Sequence, residues 1–397
     1  MLATGGRAFA QTNTLEILSD GIGGAGAAPP VVTGAERMDA WLPLLADKRV
    51  GLVVNHSSVV GKRHLVDTLC SLGHCVSRIF APEHGFRGSA PDGEEIRDGQ
   101  DARTGIPVIS LYGKKKKPAP EDFDNVDIVV FDIQDVGVRF YTYVSTLYYV
   151  LEACAEQEKP LLVLDRPNPN GHYMDGPVLD MRLRSYVGVA PLPVVYGCTM
   201  GELARLFAGE YWIHEPCALD LRVIPCQNYT HQTPYNLPVK PSPNLPNMRS
   251  VLLYPSLCLF EGTTVSVGRG TDSQFQVIGH PDFPRDSFWF VPRPNEASRY
   301  PPNEGWVCKG YSFCDLPLGE LRAERRINLQ YLLDFYREMP DKSTFFLPNG
   351  YFDLLAGTYS LRKQMEAGQT EAEIRATWQA DLEAFREIRK KYLIYPE

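Results

Sequence analysis

The chain has 397 residues, of which 44% are hydrophobic and 22% are charged, a composition typical of folded globular proteins. Its 48 acidic and 40 basic side chains give a formal net charge of -8. This charge argues against a nucleic-acid partner, because surfaces that bind phosphate backbones are rich in lysine and arginine. The basic run at 114–117 is interpreted as a solvated loop. No apolar run reaches the roughly 18 residues that would predict a membrane span.

Residues 1–35 are rich in glycine, alanine and proline, which predicts a flexible tail or the remnant of a leader peptide. The G-x-G-x-x-G pattern at 21–26 is not assigned to a dinucleotide, because Pro29 and Pro30 follow where a helix should open. The nine cysteines contain no C-x-x-C pair, and no histidine spacing indicates a metal site. The sequence therefore predicts neither a cofactor nor a metal.

From residue 49 onwards, short apolar runs alternate with helical patterns, as in proteins with a parallel sheet. Thr199 and Glu202 have the spacing of a capping box at the start of one helix. The alternation predicts a doubly wound α/β domain over residues 36–240. Its strands are predicted at 49–54, 76–81, 107–111, 128–133 and 161–164, and its helices at 64–72, 144–158 and 199–210.

A proline-rich segment between Pro234 and Pro246 marks the predicted domain junction, with the boundary at residue 240. The chain length is also typical of two domains. Beyond the junction the patterns are less regular, and they predict a smaller α+β domain over residues 241–397. Its strands are predicted at 263–267 and 275–278, and its helices at 318–338 and 371–392.

Polar and aromatic residues follow the predicted strands at the edge where ligands bind in open α/β sheets. Because the carboxyl ends of parallel strands share one edge, these side chains are predicted to form a polar small-molecule site. They are Asn55, Glu83, His84, Gln134, Asp135, Arg139 and Tyr141.

Glu83 leaves an apolar strand for a glycine-containing loop, where partial burial would raise its pKa toward that of a general acid. A glutamate at this place could equally cap a turn or pair with Arg87. Asp135 and Arg139 likewise fit either a structural ion pair or a site. Tyr141 fits either a sugar-binding face or the core of the next helix. The residues alone leave these alternatives open.

The segment 260–272 places Glu261 and Arg269 among glycines and hydroxyl groups. Arg269 could bind a substrate carboxylate through two parallel hydrogen bonds, and Glu261 could act as a second acid or orient the arginine. A structural hairpin with an internal Glu261–Arg269 ion pair is the alternative.

Six short motifs stand out in chain order between residues 51 and 271. They are G-L-V-V-N at 51–55, P-E-H-G-F-R-G at 82–88, D-I-Q-D-V-G-V-R-F-Y-T-Y at 132–143, D-R-P-N-P at 165–169, P-S-P-N at 241–244, and L-F-E-G-T with G-R-G-T at 259–263 and 268–271. Together they resemble the motifs of the YbbC-like exo-β-N-acetylmuramidases, the NamZ family. The similarity extends from about residue 36 to the C-terminus.

The resemblance implies a Rossmann-like first domain without a dinucleotide, a smaller second domain, and an active site in the cleft between them. It implies the release of N-acetylmuramic acid from the non-reducing ends of peptidoglycan fragments, with Glu83 as the catalytic glutamate. Val267 departs from the family pattern, in which many members carry an acidic residue. The other matching cleft positions are Asn55, His84, Gln134, Asp135, Arg139, Tyr141, Glu261 and Arg269.

Hydrolysis of a glycosidic bond needs a proton donor and a second group, commonly a carboxyl, that stabilises the positive centre. Glu83 is the predicted donor. Asp135, Glu261 and the 2-acetamido oxygen of the substrate are the candidates for the second group, so the stereochemical outcome is left open. The lactyl carboxylate of muramic acid needs a cation, and Arg269 and Arg139 are the candidates.

The main alternative is a protein that binds cell-wall sugars in the same cleft without cleaving them. An enzyme for sugar phosphates or nucleotides is a weaker alternative, because the sequence contains no G-x-x-x-x-G-K-[ST] loop. A cell-wall substrate and the leader-like start favour a periplasmic or secreted location in bacteria. The sequence makes no prediction of the oligomeric state.

Overall fold

The centre of the fold is a seven-stranded sheet formed by apolar runs of the first half of the chain. The protein is described by a computed structural model, which covers residues 29–83, 85–87 and 98–397. The central strand Ile128–Asp132 is buried along its whole length, as is typical of a parallel strand covered on both faces.

The strands of the seven-stranded sheet and of two smaller sheets are β1 (Arg49–Val54), β2 (Val59–Val60), β3 (Arg63–His64), β4 (Cys75–Ala81), β5 (Gly99–Gln100), β6 (Pro107–Ser110), β7 (Ile128–Asp132), β8 (Leu161–Leu164), β9 (Leu221–Ile224), β10 (Val277–His280), β11 (Trp289–Phe290) and β12 (Cys308–Ser312). The α-helices are α1 (Met38–Trp41), α2 (Leu65–Ser71), α3 (Tyr143–Glu156), α4 (Met200–Gly209), α5 (Met248–Leu257), α6 (Leu318–Glu324), α7 (Gln330–Glu338), α8 (Tyr351–Ala356), α9 (Ser360–Glu366), α10 (Glu371–Ala376) and α11 (Gln379–Lys390). Among the described residues, no helix is both long and apolar enough to cross a membrane.

The order of strands in the large sheet is β5-β6-β4-β1-β7-β8-β9, and only β5 is antiparallel to its neighbour. From β1 the chain builds outward to β4 and β6, and it then crosses back to β7 on the other side of β1. The direction of building therefore reverses between β1 and β7, which is the place where doubly wound sheets bind ligands. The predicted doubly wound, mostly parallel fold is confirmed.

Two apolar clusters cover the two faces of the sheet. Leu52 and Val54 of β1 pack in one cluster with Trp41 and α2, whereas Val53 packs in the other with α3 and α4. This alternation follows from the period of two along a strand. The larger cluster continues into helices α5, α7, α8 and α11 of the second half.

The second half of the chain combines helices α5 to α11 with a three-stranded antiparallel sheet in the order β10-β12-β11. This mixture agrees with the predicted smaller α+β part. Residues Val31–Glu397 form one compact unit. The boundary at residue 240 stays a prediction.

Three elements predicted for the second half are wrong. Residues 263–267 form isolated bridges, with Phe346 and Gly279, instead of a strand. The predicted helix at 318–338 is broken into α6 and α7, because Arg325 has a φ of 48° in the left-handed region, which ends α6. The predicted helix at 371–392 is likewise divided into α10 and α11.

The end of the predicted tail, residues 31–35, is packed against the sheet. The Gly34 N–H donates to the Asp165 carbonyl oxygen over 2.8 Å, and a Cβ at Gly34 would lie 2.3 Å from the Ile224 carbonyl oxygen. Glu36 accepts a hydrogen bond from the Thr33 N–H in a capping box. Ordered structure therefore begins before residue 36, while residues 1–28 of the predicted tail lie outside the described residues.

A buried ion pair joins the ends of β7 and β8. The Arg166 guanidinium donates to both carboxylate oxygens of Asp132, over 2.6 and 2.9 Å, and also to the Val59 carbonyl oxygen. Both side chains are almost completely buried. The pair therefore fixes the loops after β7 and β8 in relation to each other.

Asp135 anchors the loop that follows β7. Its buried carboxyl accepts hydrogen bonds from the Tyr196 hydroxyl and from the N–H of Gly137. Gly137 has a φ of 83°, and a Cβ there would clash with Asn168. Burial raises the pKa of the Asp135 carboxyl to about 6.

We predict that Arg166→Met lowers the free energy of unfolding by about 3–5 kcal/mol, because it leaves the Asp132 carboxylate buried without its counter-charge. Urea denaturation measures this loss. Arg182→Met is the matched control, since Arg182 pairs with Asp180 at the surface and such pairs contribute at most about 1 kcal/mol. Equal losses in the two variants would contradict the assigned role of the buried pair.

We predict that the pH dependence of stability between pH 5 and 7 depends in part on Asp135. A carboxyl whose pKa is higher in the folded protein binds protons more strongly when folded, so the free energy of unfolding falls as the pH rises from about 4 through the folded pKa of about 6 and is level above it. Asp135 should contribute a fall of about 1 kcal/mol over this interval. Urea denaturation at both pH values should therefore show that the change in the free energy of unfolding from pH 5 to pH 7 differs by about 1 kcal/mol between the wild type and Asp135→Asn. An equal change in the two proteins would contradict the raised pKa.

Candidate active site

Two adjoining cavities lie at the carboxyl edge of the sheet and share the lining residues Glu261, Arg269 and Tyr351. The first, called here the Glu83 cavity, has a volume of about 460 Å³, and the second, the Arg299 cavity, of about 650 Å³. Both volumes are in the range of sites that hold small molecules. Side chains from both halves of the chain line the Glu83 cavity, so the two halves build the site together.

The walls of the Glu83 cavity are mainly aromatic and polar. Its main lining residues are Glu83, Tyr112, Lys116, Phe140, Tyr141, Thr142, Tyr186, Ser242, Asn244, Tyr254, Glu261, Arg269, Phe275 and Tyr351. The Arg299 cavity is lined chiefly by Thr263, Thr264, Ser298, Arg299, Tyr300 and Asn303, together with the three shared residues Glu261, Arg269 and Tyr351.

Glu83 lies two residues after β4 and lines the cavity named after it. Its carboxylate accepts a hydrogen bond of 2.8 Å from the hydroxyl of Thr142, the residue that precedes α3. The predicted alternative, a pair with Arg87, does not form, because Arg87 donates to Asp101 over 2.8 and 3.0 Å and to Asp67. The structure thus places the Glu83 carboxyl at the cavity and ties it to the loop after β7.

Tyr141 brings the second half of the chain to the same cavity. Its hydroxyl donates to the Pro241 carbonyl oxygen over 2.7 Å, and its ring contacts Tyr143 and Tyr254 edge to face. Tyr141 is 7% exposed and lines the Glu83 cavity. It therefore belongs both to the core and to the site wall.

Glu261 and Arg269 form an ion pair on the opposite part of the cleft. The Arg269 Nε donates to the Glu261 carboxylate over 2.6 Å, and the guanidinium lies 5.3 Å from the centre of the Phe275 ring. The two side chains are 14% and 17% exposed and line both cavities. The predicted internal pair therefore forms and is part of the cleft wall, while the binding and catalytic roles predicted for the two side chains stay predictions.

Asn55 and Gln134 hold loops and line neither cavity. The Asn55 side-chain oxygen accepts hydrogen bonds from the N–H and the hydroxyl of Ser57. The Gln134 amide donates to the carbonyl oxygens of Asp135 and Pro167 over 2.8 and 2.7 Å. Both amides therefore act inside the loops after β1 and β7, and their predicted contact with a ligand stays a prediction.

Arg139 is buried away from both cavities. Its guanidinium donates to three backbone carbonyl oxygens, of Pro177, Leu192 and Leu355, over 2.7 to 3.0 Å. Burial lowers the pKa of Arg139 to about 9. The prediction that Arg139 could bind the lactyl carboxylate is corrected, because its Nη1 and Nη2 donate to backbone carbonyl oxygens and join the loop after β7 to α8.

Asp135 also lines neither cavity: its Oδ2 accepts hydrogen bonds from the Tyr196 hydroxyl and the Gly137 N–H, whereas its Oδ1 is buried without a hydrogen-bond partner among the described residues. His84 lies outside the described residues. Among the residues that the structure describes, no group of three or more histidine, cysteine, aspartate or glutamate side chains could hold a metal ion.

Sequence analysis missed several residues of the cleft. Lys116 and Tyr186 line the Glu83 cavity, and Tyr351 at the start of α8 lines both cavities. The only signal for Lys116 was the basic run at 114–117, which was interpreted as a solvated loop. Tyr186 and Tyr351 lie in segments without a motif, so only the fold brings them to the site.

The cavity combines a carboxyl group beside a hydroxyl, a second carboxyl in an ion pair, and several aromatic rings. This set suits a neutral or weakly charged polar molecule with apolar faces, such as a sugar, because the rings contact C–H faces while the polar groups orient hydroxyl and amide groups. Most glycoside hydrolases also use two carboxyl groups in one active-site cavity.

Family models match most of the chain. The model described as "Exo-beta-N-acetylmuramidase NamZ, N-terminal" matches residues 50–249, and the model described as "Exo-beta-N-acetylmuramidase NamZ, C-terminal" matches residues 252–395.

Similar proteins include one curated relative and two solved structures. The chain is 38% identical over 389 residues to the peptidoglycan beta-N-acetylmuramidase NamZ of Bacillus subtilis (strain 168), and the match covers 92% of each chain. A DUF1343 family protein of Bacteroides fragilis NCTC 9343 is 46% identical with a TM-score of 0.86, covering 93% of this chain and all of that one. A second such protein of the same organism is 27% identical with a TM-score of 0.77, covering 92% and 99%. This chain therefore belongs to the NamZ family of exo-β-N-acetylmuramidases.

Proposed function

We propose that this protein is an exo-acting β-N-acetylmuramidase, which releases N-acetylmuramic acid from the non-reducing end of peptidoglycan fragments. Membership of the NamZ family and 38% identity to a peptidoglycan β-N-acetylmuramidase support the activity and the substrate class. Within this proposal Glu83 is the general acid. The observation that carries this role is that the Glu83 carboxyl lines a sugar-sized cavity while the Thr142 hydroxyl fixes one of its oxygens.

The chemical task of Glu83 is to protonate the oxygen of the leaving sugar as the glycosidic bond breaks. Without this proton, the leaving group would be an alkoxide, which departs very slowly from the anomeric carbon. The Thr142 hydroxyl donates to one oxygen of this carboxyl and so fixes the orientation of the acid at the cavity. Thr142 therefore has a positioning role.

Glu261 is our candidate for the second carboxyl. It lines the Glu83 cavity, whereas Asp135, the other candidate from the sequence, is enclosed in its own loop. The ion pair with Arg269 supplies a fixed orientation for the Glu261 carboxylate. A negative charge held there would stabilise the positive anomeric centre that develops in the transition state.

A protein that binds cell-wall sugars without cleaving them is not favoured. The cavity of such a protein needs no carboxyl that can give up a proton, and the curated relative is named as an enzyme. We also propose a periplasmic or secreted location, because intact peptidoglycan lies outside the cytoplasmic membrane. Recovery of the native protein only in the cytoplasmic fraction of its own cells would contradict that location.

The leaving group of the substrate provides the sharpest test of Glu83. We predict that Glu83→Gln lowers kcat on a muramyl disaccharide by about 10² to 10⁴, the usual contribution of general acid catalysis. On a 2,4-dinitrophenyl glycoside of N-acetylmuramic acid the loss should be much smaller, because the dinitrophenolate leaves without a proton. Rates with both substrates give the comparison directly.

Two controls define the outcome for Glu83. Glu261→Gln should lose activity on both substrates, because charge stabilisation is needed whatever the leaving group, and Glu121→Gln, at an exposed position, should lose none. Equal losses of the Glu83→Gln variant on the disaccharide and on the dinitrophenyl glycoside would remove Glu83 from the role of proton donor.

A further inference from the structure

The four lysines at 114–117 have different surroundings in the folded protein. The Lys115 ammonium pairs with Asp122 over 2.5 Å, and the Lys117 ammonium pairs with Glu152 and Glu156 over 3.0 and 2.6 Å. Lys116 points elsewhere and lines the Glu83 cavity, whereas Lys114 does not line it.

Lys116 is held at the cavity by an aromatic ring. Its ammonium lies 4.8 Å from the centre of the Tyr186 ring, a cation–π contact. Tyr186 is itself fixed, because its hydroxyl donates to the Leu111 carbonyl oxygen over 3.3 Å and its ring stacks on Tyr149. No carboxylate of the described residues forms an ion pair with Lys116, which is exposed to the cavity and to solvent. The contact therefore orients a positive charge without neutralising it.

Lys116 differs from the other charged residues of the Glu83 cavity because no carboxylate of the described residues offsets its positive charge. Among the residues that the structure describes, four charged side chains line this cavity: Glu83, Lys116, Glu261 and Arg269. Glu261 and Arg269 offset each other, since their carboxylate and guanidinium are in contact. An anion brought to Arg269 would also meet the negative charge of Glu261. When Glu83 carries the proton that catalysis requires, the described part of the lining has one net positive charge, that of Lys116.

We propose that Lys116 binds the lactyl carboxylate of muramic acid and thereby selects muramic acid over sugars that lack this group. This inference rests on the proposed function, and it assigns the cation that the substrate requires. N-acetylmuramic acid differs from N-acetylglucosamine by a lactyl ether with one carboxylate, so one uncompensated lysine matches it in charge. Lys116 is a specificity-determining residue in this assignment and takes no part in breaking the bond.

The test compares charged and uncharged forms of one substrate. The 2,4-dinitrophenyl glycoside of N-acetylmuramic acid and its lactyl methyl ester are cleaved by the wild type, by Lys116→Met and by Lys116→Arg. Lys116→Met should raise KM for the free acid by about ten- to a hundred-fold, the usual contribution of a charge-assisted hydrogen bond, with little change in kcat. The ester should be cleaved equally well by all three proteins, and Lys116→Arg should restore most of the preference for the acid.

The control variant is Lys114→Met, which removes the same charge from the same loop outside the cavity and should leave KM unchanged. If the wild type prefers the acid and Lys116→Met keeps the same ratio of acid to ester, the assignment of Lys116 is wrong while the proposed function stands. If the wild type cleaves neither glycoside, the proposed function itself fails. The two failures are therefore distinguishable.

Discussion

The hydrogen bond from Thr142 to Glu83 is the contact on which the site depends. Glu83 follows β4 and Thr142 precedes α3, so this single bond connects the loops that leave two different strands of the sheet. The two loops can meet because β4, β1 and β7 are parallel neighbours and release the chain at the same edge. The position of the carboxyl therefore follows from the reversal of strand order beside β1.

Buried polar groups around this edge hold the loops rather than contact a ligand. The carboxyl of Asp135, the guanidinium of Arg139 and the amide of Gln134 each bind atoms of the protein itself. These groups are satisfied only in part, because Asp135 Oδ1, Arg139 Nε and Gln134 Oε1 are buried without a hydrogen-bond partner among the described residues. A polar residue close to an active site in sequence is therefore as informative about the loop as about the substrate.

The sequence predicted the first half of the fold well because its strands are apolar on both faces, and β1 and β8 have the bounds expected. The sequence-based prediction failed where the local sequence does not determine the backbone conformation. The left-handed conformation of Arg325, which breaks a helix, has no signal in the neighbouring residues. Residues 263–267 have the β-branched composition that predicts a strand, but the fold gives them only two isolated bridges, with Phe346 and Gly279.

Part of the site could be predicted because four of its residues lie in recognisable sequence motifs. Glu83, Tyr141, Glu261 and Arg269 were found through motifs, and all four line one cavity. Lys116 was missed because its position depends on the ring of Tyr186, seventy residues further along the chain, and on ion pairs that hold Lys115 and Lys117. Arg139 was misplaced because an arginine that binds only backbone carbonyls cannot be distinguished by sequence from one that binds a substrate.

The central claim is that the carboxyl of Glu83 delivers a proton to the oxygen between muramic acid and the next sugar. A crystal structure of the Glu83→Gln variant with an uncleaved disaccharide of N-acetylmuramic acid and N-acetylglucosamine tests it most directly. The account predicts that the glycosidic oxygen lies about 2.6–3.2 Å from the side chain at position 83, the distance at which a proton can be transferred. A disaccharide bound with that oxygen against another carboxyl, or outside the Glu83 cavity, would contradict the account.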